Sequence, residues 1–182
     1  MNAIDKDIDH ILITKGALAE KVAEMGRLIS EDYKGKKLLV IGILKGSFVF
    51  MSDLIRAVDG DVSVDFMVVS SYGSGTASTN SLNIRLDLNR PLDGLHVLIA
   101  EDILDSGNTL AKVKNLLLQR KPASLRIAAL LDKPSRRQSH VDLDYCGFSI
   151  PDEFVVGYGL DYAEKYRNLP YVGVLKRSVY EK

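Results

Sequence analysis

Val97-Leu98-Ile99-Ala100-Glu101-Asp102-Ile103-Leu104-Asp105-Ser106-Gly107-Asn108-Thr109-Leu110 is the stretch whose reading decides the fold. It opens with four apolar residues, too few for a helix and right for a strand buried on both faces. Two adjacent carboxylates follow, then a third acid, a hydroxyl, a glycine, an amide and a second hydroxyl. Leu110, Val113, Leu116 and Leu117 then recur at helical spacing. A strand feeding a helix in this way places the turn at the carboxyl edge of an open α/β sheet, where ligands sit. Ser106 to Thr109 carry no bulky side chain that would keep an anion from the backbone N–H groups, and two hydroxyls add donors. The turn therefore fits a phosphate. Glu101 and Asp102 beside it suit the hydroxyls of a sugar or a hydrated Mg²⁺, not the phosphate itself. A plain helix cap from Asp105 or Ser106 would account for the turn but not for three crowded acids. Neither G-x-x-x-x-G-K-[ST] nor G-x-G-x-x-G occurs, so a P-loop and a dinucleotide fingerprint are both set aside.

Upstream, Ile8 to Ile13 reads as a short first strand, and Thr14 can cap a helix over 15–33 whose apolar face is Leu18, Val22, Met25 and Ile29. Lys37 to Leu44 is a central strand ending in Lys45-Gly46-Ser47, with Ser47 capping a helix to about Val58. Lys45 alone would be a solvated lysine, but at a strand–turn–helix junction it is read as an active-site residue. Val62 to Ser70 is a β-branched strand, and Leu82 to Leu88 alternates as a returning one. Between them Ser71-Tyr72 opens a run of small polar residues, read as a lid over a reactive intermediate. Downstream, a helix over 107–120 precedes a buried strand from Leu125 to Leu131, ending in Asp132-Lys133-Pro134. Val141 to Cys146 alternates as a further strand, and Tyr171 to Leu175 is the last one.

The chain of 182 residues suits one domain, 1–182, with an ordinary 46% hydrophobic content and no internal repeat or linker. A formal net charge of zero argues against nonspecific nucleic-acid binding, which needs a positive field. A lone cysteine, Cys146, excludes an internal disulfide, and its apolar-leaning neighbours suggest a packed thiol rather than a nucleophile. The N-terminal stretch is acidic and polar and no apolar run approaches a membrane span, so a cytoplasmic protein is expected.

The stretch from Glu101 to Thr109 resembles the phosphoribosyl pyrophosphate (PRPP) motif of the type I phosphoribosyltransferases. With Leu44-Lys45-Gly46, Ser71-Tyr72, Leu131-Asp132-Lys133 and Phe154 through Asp161 to Arg167 in order, the whole chain resembles the bacterial hypoxanthine–guanine branch of that family. The resemblance implies an α/β fold: a parallel central sheet flanked by helices, with a small hood built from the N-terminal and C-terminal segments. It implies transfer of ribose 5-phosphate from PRPP to N9 of a 6-oxopurine, hypoxanthine or guanine, releasing pyrophosphate in purine salvage.

Residue roles follow from the same resemblance. Asp105, Ser106, Gly107, Asn108 and Thr109 would wrap the 5′-phosphate, and Asp105 would also exchange a proton with purine N7. Glu101 and Asp102 would meet the ribose hydroxyls directly or through Mg²⁺, and Asp161 would hold Mg²⁺ through water. Lys45, Gly46 and Arg167 would bind pyrophosphate. Lys133 would donate to the 6-oxo group, Phe154 would stack on the base, and the main chain of Val155 and Asp161 would face its C2 side. Ser71 and Tyr72 would belong to the lid, and the assembly would be a homo-oligomer, a tetramer or a dimer. Two rivals stay open at this point: a PRPP- or nucleotide-sensing regulator that kept the fold, and a transferase favouring xanthine.

Overall fold

A computed structural model describes residues 5–71 and 82–181. Nine strands and four helices follow in the order β1 (Ile8–Ile13), α1 (Lys15–Asp32), β2 (Leu38–Leu44), α2 (Phe48–Ala57), β3 (Val62–Ser71), β4 (Leu82–Leu86), β5 (His96–Leu104), α3 (Asn108–Leu118), β6 (Ser124–Asp132), β7 (Tyr145–Ser149), β8 (Val155–Val156), β9 (Val172–Leu175) and α4 (Arg177–Tyr180) among those residues. The lid reading falls on Tyr72 and the small residues after it, which lie outside the described residues; Ser71 closes β3.

Six strands form the main sheet in the order β4-β3-β2-β5-β6-β7. All neighbours are parallel except the edge strand β4, which runs back antiparallel along β3. The reason lies in the alternation of the central strands. Leu38 and Val40 of β2, Leu98 and Ala100 of β5, and Ala128 and Leu130 of β6 join the cluster that α1 and α2 cover with Leu18, Val22, Phe50 and Leu54. Leu39, Ile41, Val97, Ile99, Ile127 and Ala129 join the opposite cluster, covered by Leu110, Val113 and Leu117 of α3. Strands buried on both faces read as unbroken apolar runs, which is why the central ones are plain in the sequence.

The expected fold class holds: a mostly parallel sheet flanked by helices. A second, three-stranded antiparallel sheet, β1-β9-β8, is made from the N-terminal and C-terminal segments. It packs around its own cluster of Ile8, Val156, Tyr166, Leu169 and Leu175.

Glu101 and Asp102 lie in the C-terminal half of the motif strand, which runs on to Leu104 because β6 keeps pairing beyond the point where β2 stops. Three details differ from expectation. The strand read over Val141 to Cys146 begins only at Tyr145. Before it, Asp144 satisfies the edge of β6 irregularly, its N–H donating to the Ile127 carbonyl and its carboxylate accepting from the Ile127 N–H at 2.9 Å. Cys146 is exposed rather than packed, since Tyr145 takes the inward position of that strand. Ser47 is not a capping side chain: it sits in helical conformation, and its buried hydroxyl donates to the Ile43 carbonyl at 2.6 Å. Thr14, by contrast, caps α1 as expected, accepting from the Ala17 N–H at 3.2 Å.

Candidate active site

The chain moves from β2 toward β3 on one side and from β5 toward β6 on the other, so the β2–β5 pair is where the strand order reverses. A crevice forms outside the carboxyl ends of such a pair. Lys45-Gly46 leave β2 there, and the last residues of β5 from Glu101 run on through Asp105, Ser106 and Gly107 to Thr109. These residues line one cleft of about 250 Å³, together with Ile43, Leu44, Val69 and Leu110, whereas Asn108 is not part of its lining.

The turn between β5 and α3 is held by residues the sequence did not single out. α3 opens at Gly107, in the left-handed region at φ 81°, with no side chain capping it. A Cβ at Gly107 would also lie 2.4 Å from the Ser139 carbonyl oxygen, so both the backbone angle and the space require glycine. That closeness marks a strap running from Lys133 to Ser139. The Gln138 and Ser139 N–H groups donate to the Ser106 carbonyl at 2.9 and 3.0 Å. Asn108 donates to the Gln138 side chain at 2.7 Å and accepts from the Ser139 hydroxyl at 2.6 Å. Arg137 donates to the carbonyls of Asp105 and Leu104 at 3.0 and 3.2 Å and pairs with Asp132. Of this strap the sequence singled out Lys133 alone, and nothing local flagged Arg137, Gln138 or Ser139.

The acids at the end of β5 are in an uncomfortable place. Glu101 Oε2 is buried with no hydrogen-bond partner, and burial, helped by the charge of Asp102, pushes its carboxyl well above the usual range. Asp102 is 9% exposed, and burial pushes it up to about 6, with the N–H groups of Ile103 and Asp102 itself acting the other way. Its Oδ2 would lie 1.7 Å from a Cβ on Gly46, so only glycine lets the β2 turn approach this closely.

Across the crevice, Arg167 donates to the Gly159 carbonyl at 2.7 Å and lies 2.7 Å from Asp161 and 3.6 Å from Glu164. Lys45, with its side chain 64% exposed, has its ammonium 3.0 Å from both carboxylate oxygens of Glu164. Glu164 thus spans both cations, a role the sequence did not suggest.

A second cleft of about 360 Å³ lies alongside, and it shares Ile103 and Asp105 with the first. Lys133, Phe154, Val155 and Asp161 line it, as the resemblance implied, and Arg136 and Tyr180 join them unannounced. Lys133 is buried to 7% exposure; its Nζ donates to the Glu153 carbonyl at 2.8 Å and lies 3.7 Å from Asp152. Asp105 Oδ1 has no hydrogen-bond partner, and the Arg136 guanidinium stands 3.3 Å from it. Phe154 is held by its own backbone, since its carbonyl accepts the Leu175 N–H at 2.8 Å.

Residues 10–163 match the phosphoribosyl transferase domain. The chain belongs to the phosphoribosyl transferase domain family. The chain is 52% identical over 177 residues to the hypoxanthine-guanine phosphoribosyltransferase of Staphylococcus epidermidis, covering 97% of its own length and 99% of that protein. It is 49% identical to the bifunctional protein TilS/HprT of Listeria monocytogenes over 98% of its own length, but spans only 28% of that protein. Among solved structures, the hypoxanthine phosphoribosyltransferase of Staphylococcus aureus superposes with a TM-score of 0.95 at 49% identity. That alignment covers 100% of this chain and 98% of the other. No helix among the described residues is long and apolar enough to cross a membrane.

Proposed function

We infer that this chain is a hypoxanthine–guanine phosphoribosyltransferase, moving the 5-phosphoribosyl group of PRPP to N9 of a 6-oxopurine in purine salvage. The observation that carries the reading is the shared wall. One cleft holds the phosphate turn and the acids, the other holds Lys133 and Phe154, and Asp105 borders both. A reaction joining a base to a ribose phosphate needs such a group between two adjoining sites.

In this reading Ser106, Gly107, Asn108 and Thr109 bind the 5′-phosphate at the opening of α3, where the helix N-terminus favours an anion. Phe154 stacks on the purine, and Lys133, which has donors beyond the one given to Glu153, hydrogen-bonds the 6-oxo group. Val155 and Asp161 meet the C2 side through their main chain. The C1′–oxygen bond to pyrophosphate breaks as N9 bonds to C1′, and Asp105 takes the proton from N7. Proton transfer of this kind contributes about 10²–10⁴-fold. Lys45, Gly46 and Arg167 bind the departing pyrophosphate.

The donor set at the end of β5 suits Mg²⁺, since two buried acids, one with an unpartnered oxygen, call for a cation. Among the described residues no three such side chains converge into a metal cage. Glu101, Asp102 and Asp161 would therefore hold Mg²⁺ with water and substrate oxygens completing its shell. When bound, Mg²⁺ supplies neutralisation of the pyrophosphate charge.

Residues 1–182 act here as one phosphoribosyltransferase domain, with the sheet β1-β9-β8 as its hood, in a cytoplasmic homo-oligomer. The test is a spectrophotometric assay with PRPP, Mg²⁺ and each purine in turn. Turnover of hypoxanthine and guanine is expected. Adenine reverses donor and acceptor at both N1 and position 6, leaving buried groups unpaired at about 1–3 kcal/mol each, and is refused. Turnover of adenine alone, or of no base, overturns the reading.

A further inference from the structure

Phe154 is a large aromatic left 38% exposed at the mouth of the second cleft. It is not loose there. Tyr180 stacks on its ring, with centroids 4.8 Å apart and planes 24° from parallel. Tyr162 meets the same ring edge-on at 5.5 Å and 90°, and the two tyrosines touch each other at 6.4 Å. Both tyrosines pack on the cluster of the small sheet. The short α4 that carries Tyr180 is itself moored to the N-terminal segment: the Lys176 N–H donates to the Asp7 carbonyl at 3.0 Å and its ammonium to the Lys6 carbonyl at 2.6 Å.

From this we propose that Tyr180 is a positioning residue for the purine, acting through Phe154; the proposal rests on the phosphoribosyltransferase reading above. An exposed ring that must stack on a base loses side-chain freedom when it does so. Here one face of Phe154 is already taken by Tyr180 and an edge by Tyr162, so the ring's orientation is fixed before any base arrives. The remaining face bears the purine, which becomes the third layer of a stack whose first two are preformed. Ordering the ring in advance removes that cost from binding.

The chemical consequence is selective. Tyr180 lines the cleft of Lys133 and Phe154, whereas the lining of the phosphate cleft includes no residue of α4. Its loss should therefore weaken the base and leave PRPP alone. A merely structural tyrosine would disturb both substrates together.

Steady-state kinetics on the full chain decide the matter, with Tyr180→Ala, Tyr180→Leu and Tyr180→Phe compared with wild type. Tyr180→Ala is expected to raise KM for hypoxanthine and guanine about 3- to 10-fold, the range of an aromatic pair, with KM for PRPP unchanged. Tyr180→Phe, which keeps the ring, should return both to within about twofold, and Tyr180→Leu, which keeps only bulk, should not. If Tyr180→Ala does not fold, the Leu and Phe variants carry the same comparison. Four results overturn the proposal: unchanged KM for the bases, an equal rise for PRPP, full rescue by leucine, or a lowered KM. The last would show Tyr180 competing for the face the base needs. Wild-type protein inactive on every 6-oxopurine would instead overturn the functional reading itself, and the proposal with it.

Discussion

Asp105 and Asp102 stand three residues apart at the end of one strand and meet opposite demands. Asp105 borders both clefts, and its Oδ1, which accepts no hydrogen bond, stands 3.3 Å from the Arg136 guanidinium; the proposed function has this carboxylate exchange a proton with the purine. Asp105→Asn should lower kcat by about two orders of magnitude or more with a smaller change in KM for PRPP. A normal kcat with greatly weakened PRPP would leave it only a phosphate-turn role. Asp102 is a carboxylate the free protein would rather not ionise. Its pKa, about 6 in the fold, lies above the ordinary 3.8, so the fold carries a cost at high pH that vanishes as the pH falls below the unfolded value. Asp102→Asn keeps the acceptor that the Ile103 N–H uses at 2.9 Å and removes the charge. In thermal melts without ligand it should be more stable than wild type at pH 8, by roughly 2–4 kcal/mol, and no more stable at pH 4. An equal gain at both pH values would mean that packing, not ionisation, separates the two proteins.

At the level of elements, the strap from Lys133 to Ser139 deserves comparison with the turn it holds. The turn was legible: glycine and hydroxyl residues between an apolar run and a helical pattern announce a strand–helix junction with an anion seat. Its support was not, because Arg137, Gln138 and Ser139 meet their partners about thirty positions away, and local pattern carries no record of such pairing. The same holds for Tyr180, an aromatic in a single turn of helix with no periodicity to place it. Conversely, the alternation of Val141, Leu143 and Tyr145 promised a longer strand than the ladder allows, since alternation reports which side chains turn inward and not where hydrogen bonding begins. Strap and turn should act as one unit. Ser139→Ala removes the hydroxyl that fixes Asn108 and should raise KM for PRPP about 2- to 10-fold, leaving KM for hypoxanthine unchanged. Arg137→Ala should do more, and lower the melting temperature as well, because it strips two main-chain carbonyls and Asp132 of a shared donor. Weakening of the base by Ser139→Ala would count against this division of labour.

For the molecule as a whole, the proposed function divides recognition between its two sheets. The large sheet presents the phosphate turn, the acids and Lys133, and the small one presents Phe154 and Val155 on or beside β8, which β9 holds. In that reading purine choice depends on groups that meet only when both sheets are in place. Main-chain carbonyls at the C2 side would accept the amino group of guanine and tolerate the hydrogen of hypoxanthine, but would repel the oxygen of xanthine. Such mismatches, about 2–4 kcal/mol together, make kcat/KM for xanthine roughly 30- to 1,000-fold poorer. Comparable kcat/KM for xanthine and hypoxanthine would transfer the chain to the xanthine-using branch.

Glu164, which joins Lys45 to Arg167, gives the resting protein its own stand-in for substrate. If Lys45 and Arg167 bind pyrophosphate as proposed, a tethered carboxylate already occupies both cations, and the arrival of PRPP would exchange one anion for another. The tether would then work in both directions, weakening capture and reclaiming both cations as product leaves, like a built-in competitor that hastens release. Glu164→Gln should bind pyrophosphate a few-fold more tightly while turning over more slowly, so that product inhibition sharpens as kcat falls. A variant that gains affinity with no loss of kcat would show that departure of pyrophosphate does not govern the turnover rate.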